Sequence, residues 1–408
     1  MNERQVSRRD FMKTVGVVGV GSIVGSAGVL AQVATPSAPT PKAASTKVPT
    51  RTFGKTGVKV PCLALGGIFD IVSNQLMLKQ ALEWGVTYWD TASGYNGGKS
   101  EAGIGAYFEK NPEARKSVFL VTKASGAHGV PDMAEMLNQS LDRMKTDYVD
   151  TYFLHGISSS APLTPEVKAW AESMKAAKKI RFFGFSTHSN MEQCLADASK
   201  LGWIDAIMLT YNYRVMNTDA MKSALDAASK AGIGLTAMKT QAKRQKGDPS
   251  EAEANLLTHF LGRGFTHEQA CLKAVWEEPQ IGSVCSQMAS LSVLSSNVAA
   301  ALDKTSLAAA DKAALEAHAQ ATRSSYCAGC TRLCEGALGG RVPVGDVMRS
   351  LMYYHGYGNR ELARSAFEAL PAATRQQLGA LDYSPAERAC PHGLPIASLM
   401  SEAAELLA

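Results

Sequence analysis

Short apolar runs alternate with amphipathic segments across most of this 408-residue chain. The runs are typical of buried strands, and the segments between them are typical of surface helices. Eight strand candidates lie at 62–67, 87–91, 118–123, 149–155, 181–186, 206–211, 234–239 and 281–285. Eight strand-then-helix units within about 250 residues predict a (β/α)₈ barrel. A doubly wound sheet is the alternative, but Gly66-Gly67 does not supply the glycine fingerprint that its first strand would need.

The cysteines divide the chain into two regions. Four are dispersed through strand and helix patterns, where buried thiols behave as small apolar side chains: Cys62, Cys194, Cys271 and Cys285. Four more lie near the carboxyl terminus: Cys327, Cys330, Cys334 and Cys390. We therefore predict a barrel at 51–305, an Ala-rich linking helix at 306–321 and a separate cysteine-containing region at 322–408.

Residues 1–31 are predicted to be an export signal. The run Ser7-Arg8-Arg9-Asp10-Phe11-Met12-Lys13 precedes an uncharged, glycine-containing stretch and resembles a twin-arginine (Tat) signal. Residues 32–50 are rich in Pro, Ala, Ser and Thr, which predicts a flexible linker. We expect the Tat translocon to be a partner and the protein to be exported, for example to the periplasm. A retained membrane anchor is the alternative.

The charge pattern excludes one class of partner. The chain has 42 Lys and Arg against 37 Asp and Glu, a net charge of +5. The excess is small and scattered, whereas a nucleic-acid-binding protein concentrates its basic residues on one face. No nucleic-acid partner is expected.

Four polar residues fall at or just after the carboxyl ends of predicted strands, where barrels place their chemistry: Asp90, Tyr95, Lys123 and His155. Each alone could be a solvated rim residue or a packed tyrosine. Together they form a proton-transfer set, because a lysine held by a carboxylate lowers the pKa of a nearby phenol. A neutral histidine can orient a carbonyl oxygen beside that phenol. The set suits protonation of a carbonyl oxygen while hydride reaches the carbon.

From Arg51 to about Leu302 the chain resembles an aldo-keto reductase. The resemblance rests on RTFGKTGVKVPCLALGG, YWDTASGYNGGKSEAGIGAYF, VFLVTK, SLDRMKTDYVDTYFLHG and GFSTH. It implies an oxidoreductase that transfers hydride between a nicotinamide cofactor and a small carbonyl or alcohol substrate. It also implies that Tyr95 is the general acid, that Lys123 tunes the pKa of Tyr95, that Asp90 holds Lys123 and that His155 positions the substrate.

The same resemblance implies a set of dinucleotide-binding residues: Gly66, Ser186, Met238, Lys239, Ser286 and Asn297. The sequence departs from the family at two points. Met208 stands where relatives carry a glutamine, and Ser286-Gln287-Met288-Ala289-Ser290 lacks the basic residue that grips an adenosine 2′-phosphate. The choice between NADP and NAD therefore stays open. The polar stretch from Thr240 to Gly264 is expected to be an enlarged βα loop, either a lid over the site or a surface insertion.

The carboxyl-terminal cysteines predict a metal cofactor. Cys327-x₂-Cys330-x₃-Cys334 followed by a distant Cys390-Pro391 is a ligand pattern for one [4Fe–4S] cluster. A four-cysteine zinc site and disulfides are the alternatives. The tail also resembles the ferredoxin-like appendix of a subgroup of aldo-keto reductases, which implies a small, mostly helical iron–sulfur region and a possible redox partner. We expect Tyr353 to pack rather than to carry electrons, and His188 to be a structural or surface residue rather than a ligand.

A second function comes from another class. The barrel could be catalytically retired and act as a binding or assembly module with a structural zinc or iron–sulfur site. Met208 and Ala289 favour this interpretation, whereas retention of all four strand-end residues argues against it.

Overall fold

The computed structural model describes residues 47–243 and 251–408. The predicted signal at 1–31 and most of the linker at 32–50 lie outside these residues. A short antiparallel pair, β1 (Thr50–Thr52) and β2 (Lys59–Pro61), comes first. Eight parallel strands then close into a barrel in which β10 pairs with β3. They are β3 (Leu63–Gly66), β4 (Tyr88–Asp90), β5 (Phe119–Ala124), β6 (Val149–Leu154), β7 (Ile180–Thr187), β8 (Ala206–Thr210), β9 (Gly234–Met238) and β10 (Ile281–Gln287). The predicted (β/α)₈ fold is confirmed.

Helices follow the barrel strands in the expected alternation. They are α1 (Gln75–Glu83), α2 (Lys99–Lys110), α3 (Val130–Met144), α4 (Pro165–Ala176), α5 (Met191–Leu201), α6 (Asp219–Lys230), α7 (Glu251–Gly262), α8 (His267–Trp276) and α9 (Leu291–Leu302). The enlarged βα loop predicted at 240–264 contains a helix, α7, in its second half. Residues 244–250 lie outside the described ranges.

The inside of the barrel is a packed apolar core. Tyr88, Phe119, Phe153 and Met208 fill it from four different strands, and Phe53 enters it from the segment between β1 and β2. Phe53 lies edge-on to Tyr88 and Phe119, with ring centroids 6.3 and 5.7 Å apart. Because these side chains occupy the interior, polar side chains can gather only where the strands end.

The residues after the barrel are helical and have a core of their own. The helices are α10 (Ala309–Ala321), α11 (Thr331–Ala337), α12 (Val344–Leu351), α13 (Arg360–Glu368), α14 (Ala372–Gln377), α15 (Ser384–Ala389) and α16 (Ile396–Leu407), with one π-helical turn at Met352–Gly356. Leu351, Phe367, Leu399 and Met400 are fully buried among them. Within the described ranges, no helix is long and apolar enough to cross a membrane.

This carboxyl-terminal region packs on the barrel through the loop that carries its first cysteines. Asn190, at the start of α5, donates from its backbone amide to the carbonyl oxygen of Gly329 (2.7 Å). Its side chain donates to the Thr331 hydroxyl (3.0 Å) and accepts from the Arg332 amide (3.0 Å). Because α5 follows β7, these bonds place the cysteine loop over the carboxyl ends of the strands.

Candidate active site

The four predicted proton-transfer residues meet at the carboxyl ends of β4, β5 and β6. The ammonium of Lys123 lies 2.7 Å from the Asp90 carboxylate and 3.2 Å from the hydroxyl oxygen of Tyr95. The rings of Tyr95 and His155 contact edge to face, with centroids 5.7 Å apart. The fold thus brings together residues that lie up to 65 positions apart in the chain.

The ammonium of Lys123 uses all of its hydrogen-bond donors. Its ammonium also donates to the carbonyl oxygen of Thr91 at 2.7 Å, so all three N–H groups have acceptors: Asp90, Thr91 and Tyr95. Only 1% of the lysine side chain is exposed, and such a buried charge is stable only when it is paired and hydrogen-bonded. Because Lys123 donates to the Tyr95 oxygen, the proton of that phenol is available to another acceptor.

The pKa of Tyr95 is raised well above its ordinary value, first by burial and then by the negative charge of Asp90. The net direction is upward because burial disfavours the charged phenolate, and the lowering by Lys123 stays a prediction. The phenol is protonated, which is the form a proton donor must have.

His155 is neutral in this site. Burial lowers its pKa well below 6.5, and the positive charges of Lys123, Arg349 and Lys239 lower it further. Its Nδ1 lies 2.6 Å from the Ser125 hydroxyl. When that hydroxyl donates to Nδ1, the neutral ring carries its proton on Nε2 and can donate it to an oxygen beside Tyr95.

We expect stability to fall as pH drops, because His155 and His188 are both buried with pKa values well below 6.5. Below about pH 6.5 the unfolded chain binds protons at these positions while the folded chain does not, so the unfolding free energy rises with pH. Each histidine should cost about 1 kcal/mol between pH 6.5 and 5.5. Denaturant unfolding at both pH values checks this. His188→Gln should remove that residue's own share of about 1 kcal/mol, and replacement of the exposed His128 by Gln should leave the pH dependence unchanged.

The predicted dinucleotide-binding residues lie around the same end of the barrel: Gly66 in β3, Ser186 in β7, Met238 and Lys239 at the end of β9, Ser286 in β10 and Asn297 in α9. Two of them already bond to each other, since the Asn297 amide donates to the Ser286 hydroxyl at 3.1 Å. The Ser186 hydroxyl accepts from the Gly156 amide at 2.9 Å. Met208 is 1% exposed within the barrel and offers no polar contact.

Lys239 is held by two tyrosines of the carboxyl-terminal region. Its backbone is left-handed (φ 58°), and its ammonium donates to the Tyr353 hydroxyl at 3.2 Å. The same ammonium lies 4.4 Å from the centroid of the Tyr353 ring and 5.1 Å from that of Tyr357. Tyr353 was expected only to pack, and no local pattern predicts a contact across 114 positions.

Cys285, which was expected to act only as a small apolar side chain, is a further residue of the site. It lies in β10 beside Asp90, and burial together with the Asp90 charge raises the pKa of its thiol. The strand register indicates this proximity, because Cys285 pairs with Ala64 of β3, and Gly66 of the same strand pairs with Asp90. Cys285 therefore shapes the environment of the carboxylate that holds Lys123.

The four carboxyl-terminal cysteines line one pocket. Its volume is about 340 Å³, counting the space open to solvent, and most of its other lining side chains are apolar, among them Leu333, Val344, Met348, Leu394 and Ile396. Burial raises the pKa of Cys327 and Cys334 to about 12. Nowhere in residues 47–243 and 251–408 do three His, Cys, Asp or Glu side chains come close enough to hold one metal ion. The predicted ligands thus share a pocket without forming a ready-made single-ion site.

Comparison with curated proteins points to one family. Residues 68–254 match the aldo/keto reductase family. An aldo-keto reductase of Schizosaccharomyces pombe, named with NADP(+), is 32% identical over 161 residues, which cover 37% of this chain and 46% of the relative. L-glyceraldehyde 3-phosphate reductase of Escherichia coli is 24% identical over 207 residues, which cover 46% of this chain and 60% of the relative. The chain thus spans less than two thirds of these relatives.

Solved structures show the same fold. An aldo-keto reductase from Bacillus halodurans in its holo form superposes with a TM-score of 0.55 at 21% identity, covering 66% of this chain and 96% of that one. An aldo/keto reductase from Klebsiella pneumoniae, solved with NADP and acetate, gives 0.54 at 24% identity and covers 66% and 94%. The eight-stranded barrel of this chain therefore has the fold of these reductases, and residues 68–254 within it match the aldo/keto reductase family.

Proposed function

We propose that this protein is an oxidoreductase that transfers hydride between a nicotinamide dinucleotide and a small carbonyl or alcohol substrate. One observation carries the proposal: Asp90, Lys123, Tyr95 and His155 meet at the strand ends with a protonated phenol and a neutral imidazole. The family match of residues 68–254 supports it.

Each of these residues has a defined part in carbonyl reduction. A bound nicotinamide dinucleotide supplies the hydride. Tyr95 gives its proton to the carbonyl oxygen, and Lys123, already donating to the same phenol oxygen, stabilises the phenolate without reorganising. Asp90 holds Lys123 in place, and His155 donates from Nε2 to the carbonyl oxygen and so orients it.

The dinucleotide site is proposed at Gly66, Ser186, Met238, Lys239, Ser286 and Asn297. The name of the Schizosaccharomyces pombe relative favours NADP, whereas the absence of a basic residue between Ser286 and Ser290 favours NAD. Oxidation of NADPH and of NADH at 340 nm, each with a panel of small aldehydes, tests the proposal. Turnover with either supports it. Turnover with neither would favour the retired barrel that binds without reacting.

We further propose that Cys327, Cys330, Cys334 and Cys390 hold one [4Fe–4S] cluster. Three observations support this. All four line a single pocket, its walls are largely apolar, and among the residues that the structure describes no three side chains are spaced for one ion. A cluster presents a separate iron to each thiolate, so it needs the sulfurs further apart than a single zinc ion does.

Anaerobic purification should give about four iron and four sulfide per chain, with visible absorption that dithionite bleaches. Cys334→Ser should lower the iron content severely because it removes one ligand. Cys194→Ser is the matched control, since this buried thiol of α5 lies in the barrel core, and it should leave the iron unchanged. One zinc per chain and no sulfide would overturn the cluster and favour the zinc site.

We also propose export through the Tat pathway, with a redox partner for the cluster. The support is sequence alone: Ser7-Arg8-Arg9 and the residues that follow it, which lie outside the described ranges. Proteins using this route cross the membrane folded, so a cluster and a dinucleotide would both be installed before export.

A further inference from the structure

A second pocket lies between the barrel and the carboxyl-terminal helices. Its volume is about 430 Å³, counting the space open to solvent. The barrel contributes His188, Thr210, Lys239 and Lys243, and the carboxyl-terminal region contributes Arg349 among others. Three cations line this pocket, and no Asp or Glu is among its described lining residues.

The charge of Lys239 is not neutralised by a described carboxylate. Its hydrogen-bond partner is the phenol of Tyr353, and the ring of Tyr357 lies on another side. Phenols and ring faces stabilise an ammonium without cancelling its charge. The left-handed backbone of Lys239 costs free energy, so the surrounding structure must hold the residue in this position.

Arg349 retains donors for a ligand. It pairs with Asp346 through one nitrogen at 2.9 Å, and this carboxylate is 42% exposed, so water screens the pair. A guanidinium has five N–H donors, so this contact leaves others for the pocket. Glu335 is not among the lining residues, and its carboxylate accepts from the Gly345 amide at 3.0 Å.

The pocket adjoins the proton-transfer residues. The positive charges of Arg349 and Lys239 act on His155 and on His188, and His188 both lines the pocket and lies 3.2 Å from Thr210. A reactant bound at Arg349 and Lys239 would therefore lie on the side of the barrel that carries His155.

We propose that this pocket binds an anionic group of a reactant, a phosphate or a carboxylate, and that Arg349 is the residue that selects for it. The inference rests on the proposed function in that the ligand is one of the reactants. Arginine binds both kinds of anion through two parallel hydrogen bonds. Arg349 lies outside residues 68–254, so the family match does not assign it. The anion is either the diphosphate of the dinucleotide or an acid group of the substrate.

Calorimetric titration of the full chain tests the site by binding rather than by turnover. The probes are inorganic diphosphate and a matched pair of aldehydes, 4-formylbenzoate and its uncharged methyl ester. We expect Arg349→Met to weaken binding of the anion by about ten- to a hundred-fold, which is the usual contribution of charge-assisted hydrogen bonds to affinity. The affinity for the ester should not change. Arg364→Met, which removes an exposed arginine of the same region, should change neither.

The outcomes distinguish the substrate from the dinucleotide as the source of the anion. They also distinguish failure of the anion site from failure of the proposed reductase function. An Arg349-dependent preference for 4-formylbenzoate assigns the site to the substrate, and dependence of diphosphate binding alone assigns it to the dinucleotide. Arg349→Lys keeps the charge but loses the two parallel hydrogen bonds. An affinity between those of the native chain and Arg349→Met therefore shows that the weaker binding is not caused by misfolding. Equal affinity of the native chain and both variants for every probe overturns the inference. Anion binding without turnover would preserve the site and reject the reductase.

Discussion

Tyr95→Phe is expected to lower kcat for carbonyl reduction by about 100- to 10,000-fold, the usual contribution of a positioned general acid. The substitution removes the proton that reaches the carbonyl oxygen and the oxygen to which Lys123 donates at 3.2 Å. The ring remains, with its contact to His155, so substrate KM should change little, whereas loss of an acceptor for the buried Lys123 ammonium should lower the unfolding free energy by about 1–3 kcal/mol. Steady-state kinetics with the better of NADPH and NADH, together with denaturant unfolding, measure both quantities.

The matched control is Tyr148→Phe, the same chemical change just before β6, at the opposite end of that strand from His155. Tyr148 stacks on Arg115 and is remote from the strand ends that carry the chemistry. Its variant should retain native kcat. If Tyr95→Phe also retained native kcat, Tyr95 would not be the proton donor and the assigned mechanism would be wrong.

Gly329→Ala should lower the unfolding free energy by about 3 kcal/mol, because it combines backbone strain with an overlap that cannot relax. Gly329 lies in the cysteine loop with φ +80°, a left-handed conformation. A Cβ there would lie closer than 3.0 Å to the carbonyl oxygen of His188 and 3.3 Å from the Cα of Ser189. Both neighbours are backbone atoms beside β7, so the loop itself would have to move away from the barrel.

Gly340→Ala measures the cost of a left-handed backbone without any overlap of the new Cβ with neighbouring atoms. Gly340 is in the same region with φ +71°, but a Cβ there would meet nothing within 4 Å. Its variant should lose only about 1–2 kcal/mol, the cost of the left-handed backbone. Denaturant unfolding of both variants gives the comparison. Equal losses would mean that the close approach of the cysteine loop to His188 does not hold the two regions together.

The barrel and the strand-end residues were predictable because both follow from local patterns. Apolar runs of strand length recur at regular intervals, and a parallel barrel brings every carboxyl end to one face. Asp90, Lys123 and His155 each end or follow such a run, so their meeting needed no long-range information. The fold class was confirmed on this basis, and the relative positions of these residues are as the topology required.

The roles of Lys239, Tyr353 and Arg349 were not predictable in this way. Their contacts depend on how a helical region folds back over the barrel, and that packing joins residues more than 100 positions apart. Cys285 beside Asp90 required the register of three adjacent strands. The direction of the Tyr95 pKa depended on burial, which no count of neighbouring charges reveals.

The sequence by itself therefore determined the barrel, the set of residues able to transfer a proton and the four thiols that could serve one cofactor. Only the tertiary structure decided that the carboxyl-terminal region covers the barrel mouth, that Tyr95 stays protonated and that Arg349 joins Lys239 at one pocket. The physical reason is that periodicity records which face of an element is buried, whereas desolvation and charge pairing depend on what buries it.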